Sequence, residues 1–554
     1  MFGSQVIEPP RNPGRFIARG RCNFVLEVEV SVDVPKYGIA SPHAAATEAG
    51  ASVFAVGGNA IDAAIAACAA LAVVYPHMCT IGGDLFALAQ APDGRAHGFN
   101  ASGAAPMALQ ADDLRRRYGG MPIIGPDAIT VPGVLAGWGS LAEWGGRLAL
   151  SEVLQPALRL AAEGCEVAPS LAASLAENSE LLARDEGMTD IFARDGRWLR
   201  VGEHFCQPAL AESLGQVASS GPGVFYHGQL GERYVRGLRR LDCPITTDDL
   251  AQHSTTPETP IAGVVRGWEV LTLPPNSQGY ALLQLLRLVD DLGLDPDPLG
   301  PDADVLARLF YEVSQDRDRH LADPRAMTVS IDELLSEPHL RQLAARAIDF
   351  RAAASEGRAA SVARPSGDTI AVVVADADGW GVSIIQSVFH AFGAAVLEPS
   401  TGIIAQNRGS CFTLDPDSPN VAAGGKRSLH TLMPVLVRRH GQLRIVAGTM
   451  GGKAQPQIHT QILGRLLWDR ERLQEALVAP RWIVENPHGG PTEAVYAEAS
   501  ALSASPALDA TGMQTHALPD LSEKVGHAQY VEISRAGWIS AVSDPRSDGL
   551  ALRG

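Results

Sequence analysis

Few residues in this chain form a recognisable chemical constellation. There is no Gly-x-Ser-x-Gly turn to raise a nucleophilic serine and no His-Glu-x-x-His helix to hold zinc. The 15 histidines follow no metal-ligand spacing. Gly448-Thr449-Met450-Gly451-Gly452-Lys453 looks faintly like a phosphate loop, but Ala454 stands where Ser or Thr is needed and the glycine spacing is wrong. The pairs Gly57-Gly58, Gly82-Gly83, Gly424-Gly425 and Gly451-Gly452 read as tight turns or helix caps. One junction stands out. Residues 352–367, AAASEGRAASVARPSG, are small and polar without apolar periodicity, the pattern of a surface linker. Asp368-Thr369 follows at once, and then the apolar run Ile370-Ala371-Val372-Val373-Val374. By pattern alone, Thr369 marks a boundary between a linker and a buried strand.

The elements that must position these residues alternate between helices and hairpins. Residues 44–56 read as a helix stopped by Gly57-Gly58. Residues 60–74 are apolar on nearly every side, which suits a helix packed on a sheet. Strand pairs are expected at 85–91 with 96–101, 370–375 with 381–387, 433–438 with 443–447, and 530–534 with 538–542, each around a turn containing Gly, Asp or both. Helical stretches are expected at 154–163, 170–182, 281–291, 304–320 and 457–469. Clustered hairpins with separate helical blocks indicate an α+β layering rather than a doubly wound parallel sheet.

With 554 residues, 46% hydrophobic and 19% charged, the chain can bury a large core and is not a disordered sequence. A net charge of −17 repels phosphate backbones, so nucleic acid is not an expected partner. The seven cysteines are odd in number, scattered and without a CxxC pair, which indicates neither a disulfide framework nor a zinc ribbon. No signal-peptide pattern opens the chain, and the most apolar run, 60–74, is too short for a membrane span and carries Asp62. The expected location is cytoplasmic, with no membrane partner. Residues 1–37 are rich in Pro, Arg and Gly and read as an N-terminal extension, within which 24–30 alternates like a short strand.

Several segments carry a resemblance when taken in order. They are Ser41-Pro42-His43 with Thr47-Glu48-Ala49-Gly50, Gly57-Gly58-Asn59-Ala60-Ile61-Asp62-Ala63-Ala64, and Ile81-Gly82-Gly83-Asp84. Further along come Val131-Pro132-Gly133 with Gly137-Trp138, Pro274-Pro275 with Ser277 and Gly279, Asp323-Pro324, the stretch 367–482, and Asp544-Pro545-Arg546 with Gly549. Across residues 38–554 the chain resembles the γ-glutamyltransferase family. That resemblance implies the N-terminal-nucleophile hydrolase fold, a four-layer αββα arrangement with two stacked, mostly antiparallel sheets. It also implies a precursor that cuts itself between Asp368 and Thr369, giving a large chain, 38–368 after the extension, and a small chain, 369–554, intertwined in one catalytic domain. The mature form is then a heterodimer of its own fragments, with further dimerisation left open. No metal or organic cofactor is implied.

The resemblance makes Thr369 the nucleophile. A new N-terminal threonine carries its own base, because its α-amine has an unperturbed pKa of about 7.7–8.0. Ser387, eighteen residues on, takes the place of a second hydroxyl that hydrogen-bonds the nucleophile, with Ser for the more usual Thr. Gly451-Gly452 takes the place of the oxyanion loop. The residues that hold a glutamyl head group have changed. Ser102 replaces a carboxylate-binding arginine, Phe389 an asparagine, Cys411 an acid, and His430-Thr431 a Ser-Ser pair. Arg408 lies in the loop expected to face substrate, with Lys426-Arg427 nearby in sequence, and a guanidinium grips a carboxylate with two hydrogen bonds. The pattern resembles the branch that includes oxamate amidohydrolase and certain cephalosporin acylases. The expected substrate is a small carboxylate-bearing amide, cleaved through an acyl-Thr369 ester, with Arg408, His430, Thr431 and Ser102 at its binding site. A genuine γ-glutamyl hydrolase or transferase with different head-group contacts is the alternative, and an unprocessed scaffold is the alternative of another class.

Overall fold

The computed structural model describes residues 34–349, 368–468, 470–485 and 494–554. The linker at 352–367 and the strand-like run at 24–30 lie outside the described residues. The first helix, α1 (Ala44–Phe54), ends ahead of Gly57, whose φ of +92° suits glycine. The second, α2 (Ala60–Val74), is buried on every side, as its uniform apolar composition predicts. A capping box starts it. The Asn59 side chain accepts from the Ile61 and Asp62 amides, and the Asp62 carboxylate returns to the Asn59 amide at 3.0 Å.

Two sheets stack on one another. In chain order their strands are β1 (Tyr37–Ser41), β2 (Asp84–Gln90), β3 (Ala96–Ala101), β4 (Thr256–Glu258), β5 (Ile261–Val265), β6 (Trp268–Thr272), β7 (Asp368–Asp376), β8 (Gly381–Phe389), β9 (Val435–Arg439), β10 (Gln442–Thr449), β11 (Ala528–Ile533), β12 (Ile539–Ser543) and β13 (Leu550–Arg553). One sheet has the order β13-β1-β7-β8-β2-β3-β4 and the other β12-β11-β10-β9-β6-β5, with antiparallel neighbours throughout.

Alternation along the strands builds the layers. Ile370, Val372 and Val374 of β7 face α2, whereas Ala371, Val373 and Ala375 meet Leu443, Val446 and Val531 of the second sheet. That sheet's outer face, with Val435, Val437 and Ile445, packs on α3 (Gly279–Asp291) and α5 (Gln455–Leu467). Between these in sequence lies α4 (Ala303–His320). The result is the expected αββα arrangement, with all four expected hairpins formed. The helix expected over 170–182 is instead two pieces, Pro169–Glu177 and Ser179–Leu182. Asn178 separates them, its side-chain amide turned back to the Ser174 carbonyl at 2.8 Å. Among the described residues, no helix is long and apolar enough to cross a membrane.

The C-terminal Asp544-Pro545-Arg546 block is a buried ionic anchor. Asp544 pairs with Arg481 at 2.9 Å and Arg546 at 3.0 Å, and Arg546 pairs with Glu498 at 2.6 Å. Burial acts to raise the Asp544 carboxyl, but Arg481 and Arg546 outweigh it and hold it below its usual range. Its contribution is therefore complete above the unfolded value near 3.9 and is lost as pH falls through the lower folded value. Asp544→Ala leaves Arg481 short of its counter-charge and should cost about 3–5 kcal/mol, read as a lower urea midpoint at neutral pH.

Candidate active site

Thr369 is the second residue of β7 and is completely buried. Its side chain has the parity of Ala371 and Val373, so it points between the two sheets. The strand runs unbroken through the Asp368–Thr369 peptide bond. Here the β7–β8 register slips by one residue. Asp368 pairs with Phe389 and Ile370 with Gln386, so Ser387 and Val388 both stand against Thr369. The slip brings two hydroxyls together. Thr369 Oγ1 donates to Ser387 Oγ at 3.2 Å, and Ser387 Oγ donates to the Asp368 carbonyl oxygen at 2.5 Å. Ser387 is buried, not a solvent-side strand residue, and its oxygen also accepts from the Phe389 amide at 2.8 Å. Gly83 lies beneath it, where a Cβ would come within 2.3 Å of the Ser387 carbonyl oxygen.

Arg408 approaches Ser387 from the loop after β8. It is 1% exposed, and Nη2 reaches Ser387 Oγ at 3.4 Å. Nη1 donates to Thr431 Oγ1 at 3.2 Å and to Cys411 Sγ at 3.6 Å. The Phe389 ring lies 4.2 Å from the guanidinium carbon. Phe389 has a φ of +83°, a conformation costing about 1–3 kcal/mol that such sites hold by surrounding contacts. Burial pushes the Cys411 thiol up against the pull of Arg408, so the sulfur is a neutral neighbour.

Asp84 is the participant that sequence reading missed. It opens β2 directly opposite Ser387 in the strand register and is fully buried. Oδ1 accepts from the Gly103 amide and Gln406 Nε2, both at 2.9 Å. Oδ2 lies 3.0 Å from His430 Nε2 and 3.8 Å from Arg408 Nε. The Leu432 amide donates to His430 Nδ1 at 3.3 Å, which leaves the ring proton on Nε2, facing Asp84. Burial, with Arg408 adding to it, lowers His430 to about 3, so the ring is neutral. The signal was present in Gly82-Gly83-Asp84, an acid set between a glycine pair and an apolar strand, but its partners lie far along the chain.

Gly451 and Gly452 leave the second sheet at the Thr369 end. Leu443 and Val446 pack against Gly381, Ser383 Oγ donates to the Ala447 carbonyl at 2.8 Å, and Gly448 packs against Ala371 and Ile385. Strand β10 thus runs alongside β8 in the same direction, and its continuation emerges beside Ser387. The two glycines have φ of +142° and +54°. Gln278 ties the loop down, its Nε2 donating to the Thr431 carbonyl at 2.7 Å and the Gly452 carbonyl at 2.8 Å. Arg317 on α4 holds Gln278 Oε1 at 3.1 Å and the Lys453 carbonyl at 2.7 Å. Nothing in the residue pattern distinguished Gln278 or Arg317.

The structure thus gathers Thr369, Ser387, Arg408, Thr431 and His430 into one linked network. Ser102 stands apart in the wall behind. Its hydroxyl donates to Asn100 Oδ1 at 2.7 Å and accepts from Asn276 Nδ2 at 3.2 Å. Among the described residues, no cluster of His, Cys, Asp and Glu is arranged to hold a metal.

Residues 46–553 match the family described as Gamma-glutamyltranspeptidase. The chain is 36% identical over 528 residues to the glutathione hydrolase-like YwrD proenzyme of Bacillus subtilis, covering 94% of this chain and 99% of that one. It is 35% identical over 534 residues to the oxamate amidohydrolase proenzyme of Klebsiella pneumoniae, with coverage of 94% and 99%. The crystal structure of a cephalosporin acylase from Bacillus halodurans superposes with a TM-score of 0.84 at 31% identity, covering 100% of this chain and 99% of that one.

Proposed function

Since the chain belongs to the gamma-glutamyltranspeptidase family and is a hydrolase on the N-terminal-nucleophile fold, we propose that it is a self-cleaving amidohydrolase with Thr369 as nucleophile. The observation that carries this reading is the paired hydroxyls at the Asp368–Thr369 bond, with Thr369 Oγ1 on Ser387 and Ser387 on the scissile carbonyl. In the first step Thr369 Oγ1 attacks the Asp368 carbonyl carbon. The C–O bond forms, the C–N bond breaks, and the nitrogen leaves as an amine carrying the hydroxyl proton. Ser387 polarises the carbonyl by its donated hydrogen bond. Water then hydrolyses the ester, giving chains 1–368 and 369–554.

In the mature enzyme the freed α-amine takes the Thr369 hydroxyl proton and delivers it to the leaving nitrogen of the substrate amide. The Gly451-Gly452 loop supplies backbone donors to the oxyanion, and water releases the acyl group. Arg408 sits behind Ser387 with donors turned toward this site, which favours a substrate with a carboxylate near the scissile carbonyl. His430 and Thr431 shape and orient that guanidinium. Ser102 acts through Asn100 and Asn276 in the adjoining wall. Names of relatives point to amides of two kinds, oxamate and glutathione. The Phe389 ring over Arg408 favours the kind without a glutamyl amino group.

A direct comparison tests this. The purified enzyme should turn over oxamate or a glutaryl amide faster than a γ-glutamyl anilide, in a release assay at matched concentrations. Turnover confined to the γ-glutamyl compound would reverse the substrate assignment and leave the Thr369 chemistry standing.

A further inference from the structure

Asp84 sits where it controls both the geometry and the charge of the site. It is a completely buried carboxylate opposite Ser387, and four polar groups converge on it. Arg408 Nε is buried without a hydrogen-bond partner and lies 3.8 Å from Asp84 Oδ2, while Nη1 reaches Thr431 and Cys411 and Nη2 reaches Ser387. The carboxylate therefore lies beside a guanidinium whose Nη2 meets Ser387 of the Thr369–Ser387 pair. We propose that Asp84 is a positioning residue that fixes Arg408 and His430 behind Ser387 and offsets the Arg408 charge felt at the Thr369 amine. The inference rests on the reading of Thr369 as a cleaved N-terminal nucleophile.

Coulomb's law gives the size of the effect. The guanidinium lies within about 7 Å of Thr369 Oγ1, by way of the Ser387 hydroxyl. At an effective dielectric near 20, an unbalanced unit cation about 7 Å away lowers the pKa of an amine by between about one and two units. An α-amine starting from about 7.7–8.0 would then be a weak base at neutral pH. His430 supplies no compensation because it is neutral. Hydrolysis also leaves the new α-carboxylate of Asp368 near the amine, and it is the same in every variant compared below. Nearby, the Cys411 thiol is neutral, Lys453 is paired with Asp318 at 2.8 Å, and burial, with Glu523 adding to it, raises the Asp368 side-chain carboxyl. Asp84 is the carboxylate in direct apposition to Arg408.

The test reads the amine itself. Wild type, Asp84→Asn and Arg408→Gln are labelled with fluorodinitrobenzene across pH 5–10, and mass spectrometry follows the N-terminal peptide of the 369–554 chain. Asp84→Asn should lower the labelling midpoint by about one pH unit, and Arg408→Gln should raise it. Midpoints unmoved in both variants, or moved in the opposite sense, overturn the offset. Asp84→Asn also confronts the His430 ring proton with an amide donor and can misfold, in which case the Arg408→Gln shift alone decides. If both variants fold but remain uncut while the wild type is cut, the pair acts in processing and the offset is overturned. A wild type with no 369–554 chain defeats the Thr369 reading itself.

Discussion

Thr369→Ala is expected to run as a single full-length band on a denaturing gel and to lose turnover by about four to six orders of magnitude, whereas the parent runs as two fragments. The reason is that one oxygen is assigned two tasks. Thr369 Oγ1 makes the first cut at Asp368, and the same atom carries the acyl group afterwards. Alanine removes the hydroxyl from the Ser387 contact but leaves β7, with its neighbours from Ile370 onward, intact. The variant should therefore fold, and its circular dichroism should match the parent's. Thr369→Ser keeps the oxygen and should still process, more slowly because the lost methyl frees the χ1 rotation. Two fragments from the alanine variant would falsify the assignment, because cleavage would then require a different nucleophile. Edman sequencing of the parent's small chain should begin Thr-Ile-Ala-Val.

The second large effect is expected at Arg408. Arg408→Met keeps much of the side chain's length and its packing on Phe389 but removes every N–H donor. For an amide carrying a carboxylate, kcat/KM should fall by on the order of a hundred- to a thousandfold, as loss of a buried charge-assisted pair implies. An uncharged amide of the same shape should lose less, because it loses the support Arg408 gives Ser387, Thr431 and Asp84 but no charge-assisted contact of its own. The ratio of the two losses is the measurement, since it separates substrate recognition from support of Ser387. Equal losses would show that Arg408 serves the hydroxyl pair and does not read the substrate. Lysine is not a neutral control at this position. Its single ammonium cannot serve Thr431, Cys411 and Ser387 at once while facing Asp84.

These predictions mark how far sequence reading reached. The strand after Thr369, the hairpins and the buried helix at 60–74 were legible, because each is written in a local pattern: a period of two around a turn, or an unbroken apolar run. The break at Asn178 was not, because the apolar spacing continues through it while a side chain competes for the backbone. Burial of Ser387 was also beyond pattern, since its strand carries Ser383 and Ser387 on one face and Gln386 on the other, and alternation identifies no solvent side.

The opening feature, a threonine where a linker meets an apolar strand, was a property of the sequence alone, as were its following strand and the glycine pair after β10. Tertiary structure decided what surrounds that threonine. A one-residue slip between β7 and β8 sets Ser387 against it, and stacking of the second sheet brings Gly451-Gly452 to the same end. Asp84 meets His430 across 346 residues of chain. Local sequence encodes period, turn and burial tendency. Register, stacking and the partners of a buried charge are set only when distant segments compete for the same interior, where a buried polar group must find a partner or carry a cost of about 1–3 kcal/mol.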